Sequence, residues 1–224
     1  MDPVQPAETQ RMSRAKQLAG IKALEQANAH LTSNDPAFSA IIAHAGQCPI
    51  GVSTDRDDPF ASLVTCVVSQ QLSTTAASTI SARLITHAGG KLRPDVLLNS
   101  NPEQLRAVGL SGAKVRTIQG LAGAIEQGNL DLDGLAERGD DEELMAALTS
   151  LWGIGTWTVH MFMIFTLGRR DVWPAGDLGV RKGWNMLHGA QGDPGMAGFD
   201  VVADALSPYR SVAAWYCWRE LERR

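Results

Sequence analysis

The sequence predicts an all-α protein, and three observations carry that prediction. Polar residues followed by proline recur ahead of apolar stretches, at Asp35-Pro36, Asp58-Pro59, Asn101-Pro102 and Ser207-Pro208. Each pair suits a helix N-cap followed by proline at the first helical position, where the missing N–H forfeits no intrahelical bond. Between these marks the apolar residues recur at the three-and-four spacing of a single helix face. Finally, no stretch of useful length alternates apolar and polar residues, with β-branched enrichment, between hairpin turns. The chain therefore reads as about nine to eleven short helices.

Taken in order, residues 1 to about 13 read as a loose tail and the next stretch, to about 33, as an extra helix striped by Leu18, Ile21, Leu24 and Leu31. Residues 1–35 are thus expected to be an attachment to a main body of residues 36–224. Asp35-Pro36 opens a stripe of Phe38, Ile41 and Ile42 that Gly46 would end, and Asp58-Pro59 opens "FASLVTCVVSQQLSTTAA". Ser111 looks like the cap of a helix carrying Val115, Ile118, Leu121 and Ile125, with Gly128 as its stop. Asp140 opens "DDEELMAALTSL", whose acids favour a helix N-terminus. Two helices, Glu142 to Leu151 and Thr156 to Leu167, then form a hairpin over about 142–167, joined by "WGIG", with "MFMIF" as plain core and Gly168 as the stop. Gly189 ends a further helix, and Ser207-Pro208 opens the last. No repeat of solenoid period is present.

Composition narrows the function classes. The 44% hydrophobic and 20% charged content is that of an ordinary globular chain able to bury a core. The longest apolar run, Val159 to Leu167, is interrupted by His160 and is too short to span a bilayer. The N-terminus lacks the basic start and apolar middle of a secretory signal, so an intracellular protein is expected. Cys48, Cys66 and Cys217 are scattered and odd in number, and the histidines have no metal-ligand spacing; zinc, iron–sulfur and disulfide frameworks are not expected. A net charge of −4 argues against a nonspecific polyanion binder but leaves room for a local phosphate site.

The most informative stretch is "LWGIGTWTVHMFMIFTLGRRDVWPAGDLGV", residues 151–180. Two helices joined this tightly need backbone angles that glycine reaches without a Cβ penalty. The turn also leaves the first N–H groups of the second helix unpaired, which with the helix dipole makes an anion site. A plain helix–helix turn is the alternative. Downstream, Asp177 sits between Gly176 and Leu178, where it could be a helix N-cap or a functional carboxylate.

"L-x-G-I-G-x-W-T" and the later "VWPAGDLGVRKG" together resemble the helix-hairpin-helix DNA glycosylase superfamily, in which a Gly/Pro-rich loop and an aspartate follow the hairpin. "FASLVTCVVSQQLSTTAA", "LRAVGLSGAKVRTIQGLA" and "LSPYRSVAAWYCWR" match in the same order, and the chain is most similar to the alkylbase branch, the 3-methyladenine DNA glycosylase II type. The resemblance implies two helical subdomains with a cleft between them. It also implies a monofunctional enzyme that flips an alkylated purine out of damaged double-stranded DNA and hydrolyses its N-glycosidic bond. In bifunctional relatives a lysine stands two residues after the second hairpin glycine; here that position is Trp157, so no amine is available for Schiff-base chemistry.

The same resemblance assigns roles. Asp177 would be catalytic, its charge stabilising the sugar cation as the base departs; at about 4 Å and an effective dielectric near 20, that attraction is about 4 kcal/mol. Trp157 and Trp218 would line the base pocket and attract the cationic purine through their faces. Trp173, Trp215 and Tyr216 read as packing residues, although Trp173 could border the cleft. Gln71, Leu72 and Ser73 would lie on the loop that enters the minor groove, with either Gln71 or Leu72 as the wedge. Gly153, Gly155 and Thr158 of the hairpin would meet DNA. The backbone carbonyls of Thr149, Leu151 and Ile154 would hold a monovalent cation, with no other cofactor required. Trp152 stands where the family usually has proline, which should cost the turn rigidity. Lys114, Arg116, Arg181 and Lys182 could touch phosphates or be solvated charges. A monomer acting in a prokaryotic cytoplasm or a eukaryotic nucleus is expected. Two alternatives remain open: a non-catalytic DNA-binding module, and a glycosylase of the same fold with another lesion.

Overall fold

The computed structural model describes residues 5–52, 58–190, 195 and 198–223, with side chains from residue 18 onward. Among these residues there are twelve α-helices, one 3-10 helix and no strand, so the all-α expectation holds. The helices are α1 (Gln5–Asn34), α2 (Phe38–His44), α3 (Pro59–Ser69), α4 (Thr74–His87), α5 (Pro94–Asn99), α6 (Pro102–Ala107), α7 (Gly112–Glu126), α8 (Leu132–Arg138), α9 (Asp141–Thr149), α10 (Thr156–Phe165), α11 (Leu178–Leu187) and α12 (Arg210–Glu222), with the 3-10 helix at Val201–Leu206. The count exceeds expectation partly because prolines at the starts of α5 and α6 break that region into two six-residue pieces. No described helix is long and apolar enough to cross a membrane.

Most of the cap reading is realised. Asp58, Asn101, Ser111 and Asp140 each accept a hydrogen bond from a backbone N–H in the first turn of the helix that follows. Two pairs behave otherwise. Asp35 accepts from the Ala37 N–H at 3.1 Å, but a turn intervenes and α2 starts only at Phe38. Ser207 is not a cap at all: its hydroxyl donates to Asp171 at 2.8 Å, and α12 begins at Arg210.

The chain divides into two units, one of Met1–Asp55 with Met163–Arg224, the other of Arg56–Phe162. In the first, Leu24, Ala27 and Leu31 of α1 are buried with Phe38 and Ile41 of α2 and Val212 to Cys217 of α12. The Tyr216 hydroxyl, inside this core, donates to Asn28 of α1 at 2.9 Å. One face of α1 thus lies in this unit's core, and burial of each large apolar side chain contributes roughly 1.5–3 kcal/mol. Residues 5–13 are the opening turns of α1 and not a loose tail, while residues 1–4 lie outside the described residues. The stripe is also narrower than expected, because Leu18 is exposed. Trp173, Trp184 and Phe199 form an aromatic cluster, with the Trp173 indole N–H donating to the Phe199 carbonyl at 3.0 Å. Trp173, Trp215 and Tyr216 are packing residues, as expected.

The second unit is built around α3 and α7. Leu63, Val64, Val67 and Val68 of α3 are buried with Val115, Ile118 and Leu121 of α7, and Leu144, Leu148, Val159 and Phe162 complete the core from the hairpin side. All three cysteines are free thiols; Cys48 and Cys217 are buried and Cys66 is half-buried. Burial pushes the Cys48 and Cys66 thiols up to about 12.

Candidate active site

In the first unit the loop "WPAGD" turns tightly into α11. The Asp177 N–H donates to the Pro174 carbonyl at 2.8 Å, and the buried Arg181 guanidinium donates to the Ala175 carbonyl at 3.0 Å. Arg181 thus braces the loop ahead of Asp177, and the expectation of a phosphate contact there is corrected: it is turned inward. Asp177 is the N-cap of α11, its Oδ1 accepting from the Val180 N–H at 2.9 Å. The same oxygen accepts the Trp218 indole N–H at 2.9 Å. One half-buried carboxylate is therefore fixed by two donors and sits at the positive end of a helix dipole.

Two glycines make this geometry possible. A Cβ at Gly179 would lie 3.0 Å from both Asp177 Oδ1 and Trp218 Cδ1, and a Cβ at Gly183 would lie 2.0 Å from the Cys217 carbonyl oxygen. They are four residues apart on α11, hence on one face, and α12 closes against that face. Close approach at Gly183 and Cys217 brings the next residue, Trp218, onto Asp177. Phe165, at the end of α10, stacks obliquely on Trp218 with ring centroids 5.4 Å apart. Phe165 was expected in the core with the rest of "MFMIF", but it is 52% exposed and packs on this indole instead.

The second unit holds the hairpin and the "SQQLS" loop. Gly153 has φ +83°, and a Cβ there would lie 2.0 Å from Thr117 Oγ1 of α7, so both conformation and space require glycine. Gly155 differs: a Cβ would meet nothing within 4 Å. Its carbonyl accepts from the N–H groups of Thr158 and Val159 at 2.9 and 3.2 Å, which starts α10. Trp157 is half-buried on the first turn of α10. Thr158 is buried, and its hydroxyl accepts the Gln70 side-chain amide at 2.8 Å. With its N–H and its hydroxyl both engaged inside the unit, Thr158 braces the loop against the start of α10.

Gln70 also donates to the Gly153 carbonyl at 3.0 Å, tying the end of α3 to the hairpin turn. Lys114 of α7 donates to the Val68 and Gln70 carbonyls at 2.8 and 2.9 Å and satisfies the C-terminus of α3. Desolvation holds the Lys114 ammonium below the ordinary lysine value. Between these anchors Gln71 is forced to φ +55°, a left-handed conformation uncommon outside glycine. Gln71, Leu72 and Ser73 are exposed, and Ser73 caps α4 by accepting from the Ala76 N–H at 3.3 Å. Gln70 and Lys114 were not singled out as loop anchors from sequence. Both hold backbone carbonyls from far along the chain, which no local pattern encodes.

Among the described residues no group of three His, Cys, Asp or Glu side chains is arranged to hold a metal. The carbonyls of Thr149, Leu151 and Ile154 flank the hairpin turn, and that of Leu151 already accepts the Ile154 N–H at 3.2 Å, with one lone pair left.

Comparison with known proteins supplies the family. The family model for HhH-GPD superfamily base excision DNA repair proteins matches residues 64–198. The chain is 33% identical over 201 residues to the DNA-3-methyladenine glycosylase 1 of Schizosaccharomyces pombe, covering 89% of this chain and 88% of that protein. The structure of 3-methyladenine DNA glycosylase from S. pombe in complex with abasic DNA aligns with a TM-score of 0.79 at 33% identity, over 86% of this chain and 95% of that one. A DNA-3-methyladenine glycosidase from Bacillus halodurans aligns with a TM-score of 0.70 at 35% identity, over 85% and 87%. The hairpin, the loop after it and the aspartate all lie within or beside the matched span, and the chain belongs to the HhH-GPD superfamily of base excision DNA repair proteins.

Proposed function

We propose that the protein is a monofunctional DNA glycosylase that removes alkylated purines, of the 3-methyladenine and 7-methylguanine type, from duplex DNA and leaves an abasic site. The relatives named as 3-methyladenine glycosylases support this reading. The observation that carries it is the half-buried Asp177 carboxylate, held at one oxygen by a backbone N–H and by an indole N–H.

An alkylated purine is already cationic, so it leaves without much acid catalysis. What the reaction lacks is a counter-charge for the sugar as the bond breaks. In this reading Asp177 supplies it. A carboxylate fixed before reaction needs no reorganisation when the cation forms, which is where such electrostatic stabilisation is most effective. The same carboxylate orients the water that completes hydrolysis. Trp157 and Trp218 select electron-poor bases by cation–π attraction, contributing about 0.5–2 kcal/mol each. Gln71 and Leu72, on the exposed loop, fill the space left by the flipped nucleotide. The N–H groups at the start of α10 and the open space at Gly155 receive a backbone phosphate.

A monovalent cation fits the same hairpin. The carbonyls of Thr149, Leu151 and Ile154 would hold it, and their neutral oxygens are the donors a hard cation takes. When bound it adds positive charge for phosphate. Trp157 in place of lysine leaves the strand uncut. The protein acts as a monomer wherever duplex DNA is kept, in a prokaryotic cytoplasm or a eukaryotic nucleus.

The test is base release from a methylated duplex, followed by alkali. Free 3-methyladenine or 7-methylguanine, with strand cleavage appearing only after alkali, is the expected result. Binding without released base would leave a DNA-binding module, and release confined to other lesions in a panel of oligonucleotides would change the substrate.

A further inference from the structure

Of the four cations on which a phosphate role could rest, two are committed inside the protein: Arg181 to the Ala175 carbonyl and Lys114 to the end of α3. Lys182 is exposed, and among the described residues no hydrogen bond, ion pair or ring contact orders it. Arg116 is different. Its guanidinium carbon lies 4.1 Å from the centroid of the Trp152 ring, and both side chains are exposed. Trp152 is the first residue of "WGIG", and the residue after Arg116, Thr117, is the one that crowds Gly153. The stack therefore sits on the hairpin turn itself. Among the described residues Arg116 has no ion pair, and neither does neighbouring Lys114, whose partners are neutral carbonyls. Two charges of the same sign thus stand uncompensated beside the turn in a chain with a net charge of −4.

We infer that Arg116, ordered by Trp152, is a binding contact for a phosphate of the DNA backbone at the hairpin turn. Stacking and phosphate binding use different parts of the guanidinium. An indole engages a guanidinium through its π face, which leaves in-plane N–H groups able to match two phosphate oxygens. A flexible exposed arginine would lose much rotamer freedom on binding; one already laid on an indole loses less. The tryptophan that replaces a turn proline therefore gives the turn an ordered cation in exchange for proline's fixed φ. This inference rests on the chain's being a DNA-binding protein and adds a contact to the site proposed above.

The experiment measures binding of undamaged and methylated duplexes of one sequence by fluorescence anisotropy over a salt series. It uses the full chain, Arg116→Gln, Trp152→Ala and the double variant. Arg116→Gln should weaken binding to both duplexes alike and lower the slope of log K against log salt by about 0.9, the loss of one neutralised phosphate. Trp152→Ala should weaken binding by a smaller factor, and the double variant should bind no worse than Arg116→Gln alone, because the indole acts through the arginine. An unchanged slope in Arg116→Gln, with or without a lower melting temperature, makes the pair a brace for the turn and overturns the inference. So does a further loss in the double variant, which would mean that Trp152 meets DNA itself. Base release by the unsubstituted protein on the same methylated duplex is scored separately. Binding with the expected slope but without release would defeat the enzymatic reading and leave the phosphate contact standing.

Discussion

Replacing Asp177 with asparagine removes a charge and can keep both hydrogen bonds described at Oδ1. The amide oxygen of the new side chain would occupy the place of Oδ1, which accepts from the Val180 N–H and the Trp218 indole N–H, both at 2.9 Å. A carbonyl oxygen has two lone pairs, so both bonds survive the substitution. What goes is the attraction between a carboxylate and a forming sugar cation, about 4 kcal/mol at about 4 Å and an effective dielectric near 20. Realised only in the transition state, that corresponds to a rate loss of roughly a thousandfold. The lost charge at the helix N-terminus costs about 0.3–1 kcal/mol of stability. Asp177→Ala should lose as much activity but more stability, because it also removes the cap, worth about 1 kcal/mol, and strips the indole N–H of its acceptor. Single-turnover release of 7-methylguanine from a methylated duplex measures the first effect, and thermal melting the second. An Asp177→Asn protein that retains excision within about tenfold of the parent would refute the electrostatic argument, since a tenfold change is only about 1.4 kcal/mol.

Three further outcomes are expected. Trp218→Phe keeps an aromatic face but removes the N–H that orients Asp177, and excision should fall on the order of tenfold, the lower range for a hydrogen bond to a charged group; an undiminished rate would show that only the ring matters. Gly153→Ala should lower the melting temperature, because φ is +83° and the new Cβ falls 2.0 Å from Thr117 Oγ1, whereas Gly155→Ala should melt like the parent yet bind DNA more weakly, its Cβ meeting nothing within 4 Å until a phosphate arrives. Burial alone would raise the Asp171 carboxyl, but hydrogen bonds from Arg210 and Ser207 outweigh it and hold the group below its ordinary value. Its stabilisation is therefore complete above the unfolded carboxyl range near pH 4 and is lost as pH falls through the depressed folded value; Asp171→Asn should melt lower at neutral pH and show a shallower loss on acidification.

The helical class, most of the caps and the hairpin were legible because each depends on neighbours in the chain. Asp58, Asn101, Ser111 and Asp140 cap helices through N–H groups two or three residues away, so a short window contains both partners. Ser207 failed the same reading because its partner, Asp171, is 36 positions distant. Phe165 failed because an apolar run does not announce which ring leaves the core; the reason it does, the Trp218 face, lies on another helix. The tie between Thr158 and Gln70 is invisible to a short window for the same reason, since the two are 88 positions apart.

The site shows the same division within a single cluster. Asp177 could be named from a motif, but its orientation is decided by what is missing from α11. Gly179 and Gly183 are spaced to fall on one helix face, and that spacing is present in "DLGVRKG"; its meaning depends on α12, which meets that face only in the folded chain. Any side chain at Gly183 would meet the Cys217 carbonyl and hold Trp218 away from Asp177. The indole is also more constrained than a pocket wall need be: its N–H edge is bonded to Asp177 and its ring packs on Phe165. It can attract a cationic base only through a face left open by those two contacts, and it cannot turn to follow the base without releasing the carboxylate. In the proposed mechanism, selection of the base and placement of the charge would both depend on this one side chain, so substitutions at Trp218 should change both together.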